Sequence, residues 1–131
     1  MVDLSTMKIS LLLADDSEIM RNAIVGILQA DPEIQLLAQA SNFIQTMELA
    51  NRLHPQVVVM DLYMKDENDV TPTEIKSSLR GSVLLAISLR NDDETKAIAE
   101  SFGAVTLLDK VNLATELIPA IKLYANDLPR I

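Results

Sequence analysis

Two adjacent aspartates, Asp15-Asp16, follow the apolar run Ile9-Ser10-Leu11-Leu12-Leu13-Ala14. A third, Asp61, closes Val57-Val58-Val59-Met60, and a lone lysine, Lys110, ends Val105-Thr106-Leu107-Leu108-Asp109. If these runs are parallel strands, the acids and the ammonium converge at the carboxyl edge of one sheet. That edge is where open α/β sheets bind ligands. Clustered like charges cost free energy unless a cation shares them. The acids therefore ask for a metal ion, and the lysine for an anion such as phosphate.

Mg²⁺ suits such a site, because it takes oxygen ligands and is usually held by one or two carboxylates plus a phosphate. Asp16 and Asp61 are expected to be direct ligands, with Asp15 acting through a bound water and the backbone carbonyl of Tyr63 completing the set. A carboxylate is also a competent nucleophile for phosphoryl transfer, giving an aspartyl phosphate. The metal and Lys110 would offset charge on the transferring oxygens. Ser88, which ends a further apolar run, offers a hydroxyl to a phosphoryl oxygen. Singly, each residue has a plain alternative: strand-end acids cap helices, and a lone lysine or serine is often a surface or turn residue. Their recurrence on successive strands is what points to a site.

The elements that must position these groups follow from periodicity. Strands are predicted at Ile9–Ala14, Ile34–Ala40, Val57–Asp61, Val83–Ser88 and 105–108. Several are continuously apolar, as befits strands buried on both faces. Helical spacing covers 17–30, 42–53, 73–79, 92–102 and Leu113–Tyr124. Ser17 is expected to cap the first helix, and Gly103 to end the fourth. The third is short and weak, and Pro119 is expected to kink the fifth. His54 precedes Pro55 at a helix end and reads as a capping or surface residue, not a phosphorelay histidine. Alternating strands and helices predict a doubly wound, flavodoxin-like (βα)5 parallel sheet. The strand order 2-1-3-4-5 would make the first and third strands neighbours.

Composition narrows the function. The 131 residues suit one domain, and 49% are hydrophobic, enough for a core. The net charge of −8 argues against direct nucleic-acid binding, and 3% aromatics against base stacking. No stretch suits a membrane span. The lack of cysteine excludes disulfides and thiolate chemistry and fits a cytoplasmic setting.

The motifs Leu12-Leu13-Ala14-Asp15-Asp16-Ser17, Pro55-Gln56-Val57-Val58-Val59-Met60-Asp61-Leu62-Tyr63-Met64, Ala86-Ile87-Ser88 and Leu108-Asp109-Lys110 resemble the receiver domain of two-component response regulators. The resemblance spans residues 8–125, with 126–131 like a tail or the start of a linker. It implies that Asp61 is the phosphoacceptor, that Asp15 and Asp16 handle Mg²⁺, and that Ser88 and Lys110 sense the phosphoryl group. It implies a sensor histidine kinase or a small acyl phosphate as donor. The product would be a self-phosphorylating and self-dephosphorylating switch, not a turnover enzyme. The usual output or homodimer surface, formed by the fourth helix, fifth strand and fifth helix, would include Ala97, Ile98, Leu107 and Leu123. The stretch from Asp31 to Ala40 resembles the subfamily usually fused to a helix-turn-helix output domain, which is not seen in this sequence.

The sequence departs from the family in three places. Met64 is followed by Lys65 instead of proline, and residues 66–71 contain no glycine. The added charges Lys65, Asp66, Glu67 and Asp69 read as a solvated run. Leu107 occupies the position of the usual switch aromatic, so no rotating ring can report phosphorylation there. Val111 replaces the usual proline after the lysine, excluding a cis X-Pro bond. A phosphorylation-independent docking module is the alternative. A haloacid-dehalogenase-type phosphatase would need Asp-x-Asp on the first strand. A flavodoxin-type cofactor carrier would need a Ser/Thr-rich phosphate loop and aromatics.

Overall fold

The computed structural model describes residues 8–126; the expected tail beyond Asn126 lies outside the described residues. Five parallel strands, β1 (Ile9–Ala14), β2 (Ile34–Ala40), β3 (Val57–Asp61), β4 (Val83–Ser88) and β5 (Thr106–Asp109), form one sheet in the order β2-β1-β3-β4-β5. Five helices alternate with them: α1 (Glu18–Gln29), α2 (Phe43–Leu53), α3 (Pro72–Ser78), α4 (Asp93–Ser101) and α5 (Leu113–Tyr124). This is the expected doubly wound, flavodoxin-like fold. Every residue of β3 and β4 is buried, because helices cover both faces of the central strands.

Strand alternation divides the core in two. Leu11, Leu13, Val57, Val59, Leu85, Ile87 and Leu108 face a layer supplied by Ile24 and Leu28 of α1 and by Leu117 and Ile121 of α5. Leu12, Ala14, Val58, Met60, Leu84 and Ala86 face Phe43 and Ala50 of α2, Ile75 of α3, and Ala99 of α4. Removing this much apolar surface from water is the main favourable term for the fold. Phe43 and Phe102 meet edge-to-face, with centroids 5.7 Å apart, and tie α2 to the end of α4.

Local chemistry sets the ends of the elements. Ser17, Asn42 and Asp92 cap α1, α2 and α4 through side-chain oxygens that accept backbone N–H bonds. Asn42 is thus the cap of α2, not its first turn. The weak third helix is better founded than expected: Thr71 and Glu74 form a reciprocal capping box, and Pro72 occupies the first turn. β5 runs one residue later than predicted, because its register with β4 opens at the pair Leu85↔Thr106. Gly103, at φ +84°, follows α4 in the left-handed conformation expected of it. His54 also adopts a left-handed φ of 49°, as the exposed C-cap of α2. It stands at the amino end of β3, the opposite edge from Asp61. α5 continues unbroken through Pro119, whose missing N–H costs one bond of the ladder.

Candidate functional site

Strand register brings the candidate residues to one edge. Ala14 pairs with Met60, so Asp15 and Asp61 leave adjacent strands at the same level. Asp61 pairs with Ile87, and Ser88 pairs with Asp109, which puts Ser88 and Lys110 just beyond that level. Side-chain alternation then sorts them. Asp15, Asp61 and Lys110 share the parity of Leu13, Val59 and Leu108, on the side covered by α1 and α5. Ser88 shares the parity of Leu84 and Ala86, on the side of α4.

The Lys110 ammonium lies 2.7 Å from Asp15 Oδ2 and 3.4 Å from Asp61 Oδ2. Asp15 is fully buried and Asp61 is 5% exposed, whereas Asp16 faces solvent. Ser17 N donates to Asp15 Oδ1 at 2.9 Å, and Tyr63 N donates to Asp61 Oδ1 at 3.2 Å. Both are turns in which a carboxylate binds the amide two residues on. Ser88, also buried, accepts from Arg90 N at 3.0 Å.

The site is under-compensated. Three carboxylates, of Asp15, Asp16 and Asp61, each offer an oxygen within 4.8 Å of the others. One ammonium serves the buried two. Arg21 contributes a second cation nearby, but Nη1 donates to the Asp15 backbone carbonyl at 2.6 Å. Burial pushes the Asp61 carboxyl up to about 6, against the opposing pull of Lys110 and the Tyr63 N–H; the neighbouring Asp15 adds to the rise. Asp15 Oδ2 is buried and takes no aligned hydrogen bond, although the Lys110 ion pair is close. An all-oxygen donor set in which three carboxylates outnumber one ammonium fits a hard divalent cation such as Mg²⁺.

The expected Asp15, Asp16, Asp61 and Lys110 are gathered at one place. Ser88, the last residue of β4, and the Tyr63 backbone, on the loop leaving β3, stand beside them. The apolar candidates divide: Ala97 and Leu123 are exposed, while Ile98 and Leu107 are half-buried against the α4-side core.

One expectation is corrected. Lys65, Glu67 and Asp69 are solvated, but Asp66 is buried. Its carboxylate accepts from Phe43 N at 2.9 Å and from Ile44 N at 3.0 Å. It is a second cap on α2, delivered from the loop after β3, and it stabilises the orphan N–H groups and positive end of that helix. A sequence distance of 23 residues hid the contact. Thr95 and Arg90 also meet partners that no sequence spacing predicts. Thr95 is buried in the first turn of α4 and bonds the Tyr63 hydroxyl at 2.7 Å. The Arg90 guanidinium lies over the Tyr63 ring, 5.0 Å from its centroid.

A family model described as the response regulator receiver domain matches residues 11–122. The transcriptional regulatory protein LiaR of Bacillus subtilis is 29% identical over 125 residues, covering 94% of this chain and 59% of LiaR. A protein-glutamate methylesterase/protein-glutamine glutaminase of Pseudomonas syringae pv. tomato is 35% identical over 130 residues, covering 91% of this chain and 36% of that protein. The chain therefore spans only part of the curated relatives it matches. Among solved structures, the response regulator domain of Thermotoga maritima CheB superposes with a TM-score of 0.79 at 22% identity, covering 91% of this chain and 97% of that one. The signal receiver domain of the NarL response regulator of Mycobacterium tuberculosis gives 0.80 at 21%, with the same coverage. At such identities the likeness is one of fold.

Proposed function

The chain belongs to the receiver domains of two-component response regulators, and from that premise we propose that it is a phosphorylation switch whose acceptor is Asp61. The observation that carries the proposal is the Lys110 ammonium held between Asp15 and Asp61, with Asp16 beside them at the carboxyl edge of the sheet.

Asp16 and Asp61 would ligate Mg²⁺ directly, with Asp15 acting through water and the Tyr63 carbonyl completing the protein's share. The bound cation would supply neutralising charge for the phosphoryl oxygens. Asp61 is mostly ionised at neutral pH, since its titration centres near 6. One of its carboxylate oxygens forms the new bond to phosphorus. The P–N bond of a phosphohistidine, or the P–O bond of a small acyl phosphate, breaks, and its electron pair departs with the donor. Lys110, already beside Asp61, offsets charge on the product, and the Ser88 hydroxyl is free to donate to a phosphoryl oxygen. Hydrolysis of the acyl phosphate resets the switch, so the domain is not a turnover enzyme.

Ile19, Leu89 and Val111 are exposed apolar side chains that come within three residues after Asp16, Ser88 and Lys110 in the chain. They supply a rim on which a donor such as a sensor histidine kinase can rest. The exposed Ala97 and Leu123 lie on the face of α4, β5 and α5 that we assign to output or homodimer contacts. Residues 8–125 form a single receiver unit. The net charge of −8 argues against direct nucleic-acid binding by this domain. Among the described residues no helix is long and apolar enough to cross a membrane, and we assign the domain to the cytoplasm.

The test is intact mass after incubation with acetyl phosphate and Mg²⁺. One added phosphoryl group is expected in the wild-type chain, and none with EDTA or in Asp61→Asn. An adduct that persists in Asp61→Asn would overturn the assignment of the acceptor. Absence of both an adduct and Mg²⁺ binding would favour the phosphorylation-independent docking module.

A further inference from the structure

Four side chains beside the site close a ring. The Thr95 hydroxyl donates to Asp92 Oδ1 at 2.6 Å. Asp92 is ionised, its carboxyl held well below the usual range first by Thr95 and then by Arg90, so this oxygen only accepts. Threonine has a single hydroxyl proton, and it is committed to Asp92. The Tyr63 hydroxyl must therefore donate to Thr95 Oγ1 across their 2.7 Å contact. Arg90 Nη2 donates to the other Asp92 oxygen at 2.7 Å, and its guanidinium returns over the Tyr63 ring. The ring thus runs from Tyr63 through Thr95, Asp92 and Arg90 back to Tyr63.

Two of the groups proposed to meet the phosphoryl group, Asp61 and Ser88, feed this ring through the backbone. Tyr63 N is bonded to Asp61 Oδ1, and Arg90 N is bonded to Ser88 Oγ. Any change at Asp61 or Ser88 therefore reaches the ring by two short routes. On its far side, Asp92 is the N-cap of α4 and Thr95 is buried in its first turn. Leu107 packs against the same core and carries no polar atom with which to join such a network.

Resting on the receiver function proposed above, we infer that Tyr63 is the aromatic that couples the state of Asp61 to α4, through its hydroxyl bond to Thr95 and its stack under Arg90. Adding a phosphoryl group draws Ser88 and Asp61 into new bonds. The amides of Arg90 and Tyr63 shift with them, and the ring passes that shift to the start of α4.

The experiment is hydrogen exchange of the 88–101 segment in the full chain, with acetyl phosphate and Mg²⁺ and, in parallel, with beryllofluoride. Adduct occupancy is measured on the same samples. In wild type, occupancy should change exchange in this segment by about fivefold, the smallest shift expected of a real coupling. Thr95→Val should take the same adduct and lose that response, while Thr95→Ser, which keeps the hydroxyl, should retain it. Should Thr95→Val fold poorly, Tyr63→Phe, normalised to its own occupancy, should lose the response equally. A wild-type response in a fully occupied Thr95→Val or Tyr63→Phe would overturn the coupling. Failure of both probes to occupy wild-type Asp61 would instead overturn the receiver function itself, and the coupling with it.

Discussion

Lys110 is bound more closely to Asp15 than to Asp61, at 2.7 Å against 3.4 Å. The lysine proposed to sense the phosphoryl group therefore rests on the buried acid beside the acceptor. In the resting state Asp61 has only part of one cation, in surroundings that disfavour its charge. Stability, metal binding and pH are consequently linked at this one point.

Removing the ammonium should leave two buried carboxylates without an ion-pair partner. Lys110→Ala is expected to lower unfolding free energy by about 3 kcal/mol at pH 7.5 in EDTA, as when one partner of a buried pair is deleted. Millimolar Mg²⁺ should recover much of that loss. Urea denaturation with and without the metal measures both, and a loss that Mg²⁺ does not touch would contradict the shared-charge account.

The raised pKa of Asp61 has a definite sign. Folding holds its proton up to about pH 6, against an ordinary value of 3.8. This stabilising contribution is complete below the ordinary value and fades as pH rises through 6. Asp61→Asn should therefore exceed wild type in stability at pH 7.5 without Mg²⁺, by up to about 3 kcal/mol for a shift of this size. The advantage should disappear near pH 3.5. Paired urea curves at the two pH values give the difference, and an advantage independent of pH would refute the cause assigned here.

Asp16 is exposed, so its role should be visible only with metal present. Asp16→Asn is expected to change stability in EDTA by less than about 0.5 kcal/mol, as exposed substitutions usually do. Wild type should gain about 2.7 kcal/mol when Mg²⁺ stands at a hundred times its dissociation constant, whereas the variant should gain little at the same concentration. Thermal unfolding across a Mg²⁺ series separates the two.

The loop after β3 carries one structural acid among solvated charges. Asp66→Ala removes acceptors from two N–H groups at the start of α2 and should cost about 1–2 kcal/mol, in the manner of a lost helix cap. Glu67→Ala and Asp69→Ala, both exposed, should stay within about 0.5 kcal/mol of wild type. Equal effects at all three positions would show that net charge, not the cap, governs this loop.

Much was readable from order along the chain. The apolar runs, the helical spacing between them and the polar residue at each run's end follow from local sequence, because alternation and period are properties of neighbouring residues. Four of the five strands have the predicted bounds, and the acids, the serine and the lysine of the receiver motif stand at their ends. The capping box of Thr71 and Glu74 is likewise a local signal, three residues apart in the sequence.

What the tertiary structure alone decided is which distant groups meet. The amino-acid order brings Asp15, Asp61 and Lys110 to strand ends, but only the register and parity of three strands make one ammonium serve two buried acids. Asp66 is one of three similar acids in sequence. Only the packing of its loop on α2 separates it from Glu67 and Asp69. Tyr63, Thr95, Asp92 and Arg90 come from two loops and a helix, and no periodicity links them. Electrostatics and hydrogen bonds act through space at a few ångströms, so residues far apart in the chain acquire their partners only once the sheet has formed.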